Sequence, residues 1–341
     1  MSGNNHSGQS CAARRTRACL LGVLFIASPA YAQMKGHVKV DGSSTVAPIT
    51  TAAAEMFKEE HPRVRVTVGI SGTGGGFKKF LDQSPALRTD ISDASRAIAP
   101  KEIERAAEIG VEFIEVPIGI DGMTVMVHPS NDFCDYLTVS ELKRIWEPGS
   151  AISNWQQIRP GFPDLPLKLY GADTDSGTFD YFTEVVVGKS RASRSDYTAS
   201  ASDNVLVQGI AGDKASLGYF GYSYYEANKD KLKLIGVDND NGNPVKPNID
   251  VIRAGKYEPL ARPMFLYVNA ESYKRPEVKE FMDFILDRAR EIVEHPSVNY
   301  VALSDGLYEL AQRRLKQGQT GSAMAASTGA KEDLEEVFRK Y

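Results

Sequence analysis

Apolar and polar positions along the chain alternate between strand-like and helix-like periods. Residues 37–41 have the period of a strand, and 48–60 carry Ile49, Ala53, Met56 and Phe57 on one helical face. Residues 64–68 alternate again, 75–81 predict a short helix, and 90–94 the end of a strand. A helix over 101–109, closed by Gly110, then leads to a strand over 111–116. This is the βαβα rhythm of an open, largely parallel sheet. Further on, 124–128, 167–170, 217–220 and 232–236 predict strands, and 139–146, 179–187 and 203–211 predict helices. Residues 238–244 are a loop by composition, and 264–268 return to an apolar strand. Helices follow at 277–294, with Phe281, Phe284, Ile285 and Ile292 as the buried stripe, and at 304–316. Residues 317–329, rich in Gly, Ala, Ser and Thr, predict a flexible tail that ends in a charged helical piece over 331–340.

The N-terminal segment changes this picture. Arg14, Arg15 and Arg17 precede an apolar run over 19–27, and Ala30-Tyr31-Ala32 has the small-x-small form of a secretory cleavage site. The run is too short for a spanning helix, which needs about 20 residues. The segment 1–32 is therefore expected to be a cleaved signal peptide, and the remaining 309 residues suffice for two domains with cores of their own. Cys11 and Cys19 leave with the signal, so Cys134 is alone and no internal disulfide is expected. Removing three arginines and no acidic residue takes the formal charge from −4 to −7, and no long Lys/Arg block is present. A nucleic-acid or anionic-lipid partner is not expected. Any anion must be held by local donors.

Three segments offer such donors: Gly42-Ser43-Ser44-Thr45, Ser71-Gly72-Thr73-Gly74-Gly75-Gly76 and Asp175-Ser176-Gly177-Thr178. Each stands between a predicted strand and a predicted helix. The first N–H groups of a helix lack partners within it, so converging helix starts form an oxyanion site. Competing motifs fail on their spacing. A Walker loop beginning at Gly72 would need glycine where Phe77 stands, and a dinucleotide fingerprint fails at the same residue. Asp175-Ser176-Gly177-Thr178 repeats the string of aspartic proteases, but those need two copies sharing a proton. No G-x-S-x-G elbow surrounds a serine, and His37, His61, His128 and His295 stand in no catalytic or metal-ligand spacing. Neither a metal nor a cofactor is expected.

Five strings in order carry a resemblance: residues 40–48 (Val-Asp-Gly-Ser-Ser-Thr-Val-Ala-Pro), 70–79, 90–96 (Asp-Ile-Ser-Asp-Ala-Ser-Arg), 171–179 and 217–222. Together they resemble the periplasmic phosphate-binding proteins of ABC importers, over the mature chain to about residue 320. The resemblance implies a two-lobed periplasmic binding protein fold, each lobe a mixed, mostly parallel sheet flanked by helices, closing on its ligand like a hinged trap. It implies lobe 1 at 33–118 and 264–318, lobe 2 at 119–263 and a tail at 319–341, with crossings near 116–121 and 259–264. It further implies a monomer that captures inorganic phosphate and delivers it to membrane permease subunits in the periplasm, without catalysis.

Matched position by position, the resemblance implies phosphate contacts from Ser44, Thr45 and the Val46 N–H, from Thr73, and from Ser176, Gly177 and Thr178. Two positions depart from the family pattern. Ser95 stands where better-known members have an aspartate, and Ala172 where they have an arginine. The expectation is that Arg96 supplies the missing positive charge; the alternative is that it pairs with Asp93 or Asp121. Phosphate near neutral pH carries a proton that a carboxylate can accept and that sulfate lacks. Asp41, Asp93, Asp121 and Asp175 are candidate acceptors, with Asp175 and Asp121 ahead. A receptor for sulfate or molybdate, a secreted hydrolase using Ser44 or Ser176, and a signalling or adhesion protein remain as other readings. The exported protein is expected to begin at Gln33, and its intact mass checks this; a mass that retains residues 1–32 would refute the signal peptide.

Overall fold

The computed structural model describes residues 34–174, 176–200, 202–326 and 333–341. The expected signal peptide and Asp175 lie outside the described residues. The chain opens with β1 (Gly36–Gly42), α1 (Ala47–Glu60), β2 (Val64–Ile70), α2 (Thr73–Phe80), β3 (Ile91–Ala94) and α3 (Pro100–Glu108). A long strand β4 (Phe113–Val127) leads to β5 (Tyr136–Thr138), α4 (Val139–Trp146), β6 (Lys168–Ala172) and α5 (Gly177–Phe182), which runs on as a π-helical turn, Thr183–Val187. Then come β7 (Thr198–Ser200), α6 (Asp203–Ala211), β8 (Ser216–Gly221), α7 (Tyr222–Glu226), β9 (Lys233–Leu234), β10 (Gly236–Asp238) and α8 (Ile249–Arg253). The chain ends with β11 (Ala261–Asn269), α9 (Pro276–Asp287), α10 (Ala289–Val293), α11 (Asp305–Lys316), α12 (Ala323–Ala326) and α13 (Leu334–Lys340).

Among the described residues, nine strands form one mixed sheet in the order β2-β1-β3-β11-β4-β8-β6-β7, with β9 also on β4. The first βαβα units make β2-β1-β3 parallel. β11 then inserts antiparallel between β3 and β4. β4 is what joins the two halves. Its residues 113–122 pair with β11 and residues 123–127 with β8, and all of its residues are buried. The sequence predicts two strands here, split by Pro117 to Gly122, whereas the structure runs one strand through. Pro117 is accommodated at a bulge: Met264 pairs with Gly119 and Phe265 with Pro117, leaving Ile118 extra, and the Tyr308 hydroxyl donates to the Ile118 carbonyl at 2.9 Å.

Aromatic side chains fill both halves. Phe57 packs edge-on against Phe281 and Phe284 in the first, and Trp146, Phe182 and Tyr219 pack together in the second, the last two stacked at 3.6 Å. The predicted helix over 277–294 breaks at Arg288 into α9 and α10. Cys134 is fully buried, and burial pushes its thiol up to about 12. Among the described residues no helix is long and apolar enough to cross a membrane.

The C-terminal segment departs most from expectation. The composition of 317–329 predicts flexibility, yet residues 321–326 and 333–341 dock on the first half. Glu115, fully buried in β4, accepts hydrogen bonds from the Tyr267 hydroxyl (2.7 Å), the Ser322 hydroxyl (2.6 Å) and the Met324 N–H (3.0 Å). Buried Arg314 donates to the carbonyls of Gly321 (2.6 Å) and Tyr341 (2.8 Å), and Leu334, Val337 and Phe338 of α13 join the core. A buried carboxylate needs these donors, and losing one leaves a desolvated oxygen without a partner. Ser322→Ala is expected to cost about 2 kcal/mol in urea unfolding, the scale of a hydrogen bond to a charged group; unchanged stability would mean that Glu115 does not hold this segment.

Candidate functional site

Because β2, β1 and β3 are parallel neighbours, their carboxyl ends emerge side by side, and the segments that follow them share one edge. Backbone hydrogen bonds lock these segments together. The Ser43 N–H donates to the Asp93 carbonyl at 2.9 Å, and the Ser71 N–H to the Gly42 carbonyl at 3.0 Å. The Thr73 and Ser95 hydroxyls lie 3.1 Å apart, and the Ser95 N–H donates to Thr73 Oγ1 at 3.2 Å. Gly76 permits this closeness, since a Cβ there would fall 2.5 Å from the Gly42 Cα.

The second half brings α5 against the same edge. Ser176 caps α5, its hydroxyl accepting the Thr178 N–H at 3.1 Å. A Cβ on Gly177 would lie 3.1 Å from the Thr45 Cα, so the backbone of the α5 start sits directly on the first loop. The Ser44 hydroxyl reaches Asp180 Oδ2 at 3.4 Å. The structure thus places Ser44 and Thr45 beside Ser176, Gly177 and Thr178, and places Thr73 beside Ser95. The Val46 N–H donates within its own turn, to the Ser43 carbonyl at 3.2 Å.

Arg96 stands elsewhere. Its two terminal nitrogens each lie 2.8 Å from a Glu102 oxygen, and it also donates to the Ala97 carbonyl at 2.9 Å. The expected reach across the cleft is replaced by a bidentate pair at the start of α3, and neither Asp93 nor Asp121 is its partner. Glu102 is the reason: it also accepts the Ala99 N–H at 2.7 Å, so it is fixed where Arg96 can close on it.

Arg262 is the cation that meets Thr45, donating from Nη2 to Oγ1 at 2.8 Å. It lies in β11 directly across from Asp121 in β4, with Nε 3.6 Å from Asp121 Oδ2 and Nη1 3.6 Å from Glu184 Oε2. Its guanidinium stacks 3.6 Å from the centre of the Tyr181 ring, and the Tyr181 hydroxyl is anchored on the Pro259 carbonyl at 2.6 Å. The Arg262 side chain is 14% exposed and that of Asp121 1%. Arg262 Nε and Asp121 Oδ2 are both buried without a hydrogen-bond partner. The sequence did hold a signal for this pair: each expected crossing segment, 116–121 and 259–264, contains one ionisable residue, Asp121 and Arg262 respectively.

The acidic candidates separate by environment. Asp41 takes the Ser71 hydroxyl and Lys79, the latter at 2.5 Å. Asp93 Oδ2 accepts from Thr50 at 2.8 Å while Oδ1 is buried without a partner. Burial, opposed by the Thr50 hydroxyl and helped by the Asp41 carboxylate, pushes Asp93 up to about 7. Asp121 is raised to about 6 by burial, against the pull of Arg262. Among the described residues, each histidine has a partner other than Ser44 and Ser176: His37 with Thr67, His61 stacked on Phe57, His128 with Ser130 and His295 with Ser297. Among the described residues no group of three or more His, Cys, Asp or Glu could hold a metal ion.

Similarity to known proteins covers most of the chain. The model of a PBP superfamily domain matches residues 27–289. Protein SphX of Synechococcus elongatus is 40% identical, over 94% of this chain and 96% of its own length. The phosphate-binding protein PstS of Staphylococcus saprophyticus is 38% identical, over 82% of this chain and 85% of its own length. A crystal structure from Planctomyces limnophilus, described as that of a possible phosphate binding protein, superposes with a TM-score of 0.79 at 45% identity, covering 84% of this chain and 99% of that one.

A folded-state carboxyl raised above its ordinary 3.8 binds its proton more tightly than the unfolded chain does, so its contribution to stability is full below about 4 and is lost as pH rises towards 7. Asp93→Asn, which keeps an acceptor for Thr50, is expected to remove part of that decline. Urea unfolding at pH 4.5 and 7.5 measures it, and an unchanged difference between the two pH values would show that Asp93 does not titrate in this range.

Proposed function

The chain belongs to the PBP superfamily and, within it, to the PstS-type phosphate-binding proteins; from that premise we propose that it captures inorganic phosphate between two lobes and delivers it to the permease of an ABC importer. In this reading it works in the periplasm after export, as a monomer and without catalysis. Lobe 1 comprises 33–118 and the chain from 264 onward, and lobe 2 comprises 119–263.

The observation that carries the proposal is Arg262. Its side chain meets Thr45 from lobe 1, Tyr181 and Glu184 from lobe 2, and Asp121 on the crossing strand. A tetrahedral dianion between Thr45 and the start of α5 would give the buried Arg262 Nε the acceptor it lacks, with charge-assisted bonds stronger than neutral ones. The Ser44, Ser95, Thr73 and Thr178 hydroxyls and the Gly177 N–H would complete a donor-rich shell, with the Val46, Ser176 and Thr178 N–H groups releasing their present bonds to join it. Asp121 is the acceptor we assign to the phosphate proton, because its Oδ2 is buried, unpartnered and beside Arg262. The opposing overall charge makes these local donors necessary.

Calorimetry of the mature chain is expected to show saturable phosphate binding. Arg262→Ala should weaken it by about 2–5 kcal/mol, the range for truncating one partner of a buried charge pair. Thr178→Ala should cost about 1.5 kcal/mol. Phosphate affinity unchanged in Arg262→Ala would remove Arg262 from the site, and no heat with phosphate for the unaltered chain would overturn the function.

A further inference from the structure

A groove of about 630 Å³ runs along the outer flank of α2 and α3, lined by Phe77, Lys78, Leu81, Arg96, Lys101 and Arg105 among others. We propose that this groove is where the protein docks on its permease, receiving a loop that carries carboxylates and aliphatic side chains. This rests on the transport reading above and adds to it a surface and the chemistry of its partner.

The charge pattern is the first argument. Lys78 and Lys101 are exposed, and neither side chain forms a hydrogen bond or an ion pair with another described residue. Arg105 reaches only Glu108, an exposed i,i+3 contact of 3.3 Å. Two acids line the groove against four cations: Glu102, already neutralised by its bidentate pair with Arg96, and Asp82, which accepts the Ser84 N–H. The groove therefore presents a local surplus of cations on a chain whose mature charge is −7. An acidic partner would be repelled by much of the surface and steered to this patch.

The walls and the spacing decide the class of partner. Phe77 and Leu81 lie buried beneath the groove, so its apolar surface is that of the aliphatic stems of Lys78, Lys101 and Arg105 below their charged ends, which a small polyanion would leave without a matching surface. Lys101 and Arg105 are one helical turn apart on α3 and face Lys78 across the groove from α2, so the cations line a track and do not converge on a point. An extended polypeptide loop fits both features. The groove also backs directly onto the ligand cleft: Gly74 follows Thr73, and Arg96 follows Ser95, whose hydroxyls touch each other. A partner seated here holds the outer side of the two segments whose inner side faces the cleft.

The test is the charge-reversed variant K78E/K101E/R105E, compared with the unaltered mature protein on permease complexes reconstituted in proteoliposomes. Phosphate affinity by calorimetry is expected to stay within about twofold, because none of the three residues is among the proposed phosphate contacts, while stimulation of ATP hydrolysis falls at least tenfold. The neutral variant K78Q/K101Q/R105Q should lie between the two, and lysine substitutions of acidic residues in the outward permease loops should restore stimulation by the reversed variant. Full stimulation by K78E/K101E/R105E overturns the docking surface. So does a large loss of phosphate affinity, which would make the groove part of the ligand site. Tight binding of sodium tripolyphosphate that the reversed variant loses, with stimulation intact, would assign the groove to a small polyanion and also overturn it. Absence of phosphate binding by the unaltered protein is a separate failure, that of the transport reading.

Discussion

A guanidinium withdrawn from water, and left without full neutralisation by any one neighbour, governs the centre of this molecule. Arg262 has a carboxylate on either side at 3.6 Å, too far for a good hydrogen bond, and an aromatic ring beneath it. Removing a charge from water costs several kcal/mol unless partners are well placed. Thr45 supplies one such contact and Asp121 a partial Coulomb return. The arrangement is that of a charge positioned for something between the lobes. The Tyr181 ring, fixed through its hydroxyl to the Pro259 carbonyl, keeps the guanidinium plane from turning away.

That position depends on the pairing of β4 with β11. Asp121 and Arg262 face each other because the register brings them opposite, and that register includes the bulge at Ile118. Tyr308 of α11 satisfies the bulged carbonyl, and Glu115, four residues before Gly119 on the same strand, is held by β11 and by the C-terminal segment. Packing at the far end of the molecule therefore fixes the frame on which the central charges sit. The docked C-terminal segment belongs to that frame.

Much of this was legible in the sequence. The segments carrying Thr45, Thr73 and Ser176 were recognisable because parallel strand order brings consecutive loops to one edge, which local pattern can reveal. Arg262 and Thr45 are 217 residues apart, and no local signal expresses such a contact. Arg96 misled for the opposite reason. It follows Ser95 directly, but the backbone turns its side chain to Glu102, which also caps α3. The continuity of β4 was hidden because Pro117 and two glycines read as a break, whereas a bulge and a tyrosine from another helix accommodate them. The segment after residue 317 looked too poor in large apolar residues to pack; what holds it is a buried acid in β4, invisible from its own composition.

Cys134 has a consequence outside the ligand site. Thiol–disulfide exchange proceeds through the thiolate, and a buried thiol pushed up to about 12 is almost wholly protonated at any physiological acidity. In the folded protein Cys134 is therefore shielded from the oxidoreductases and small-molecule redox couples around it.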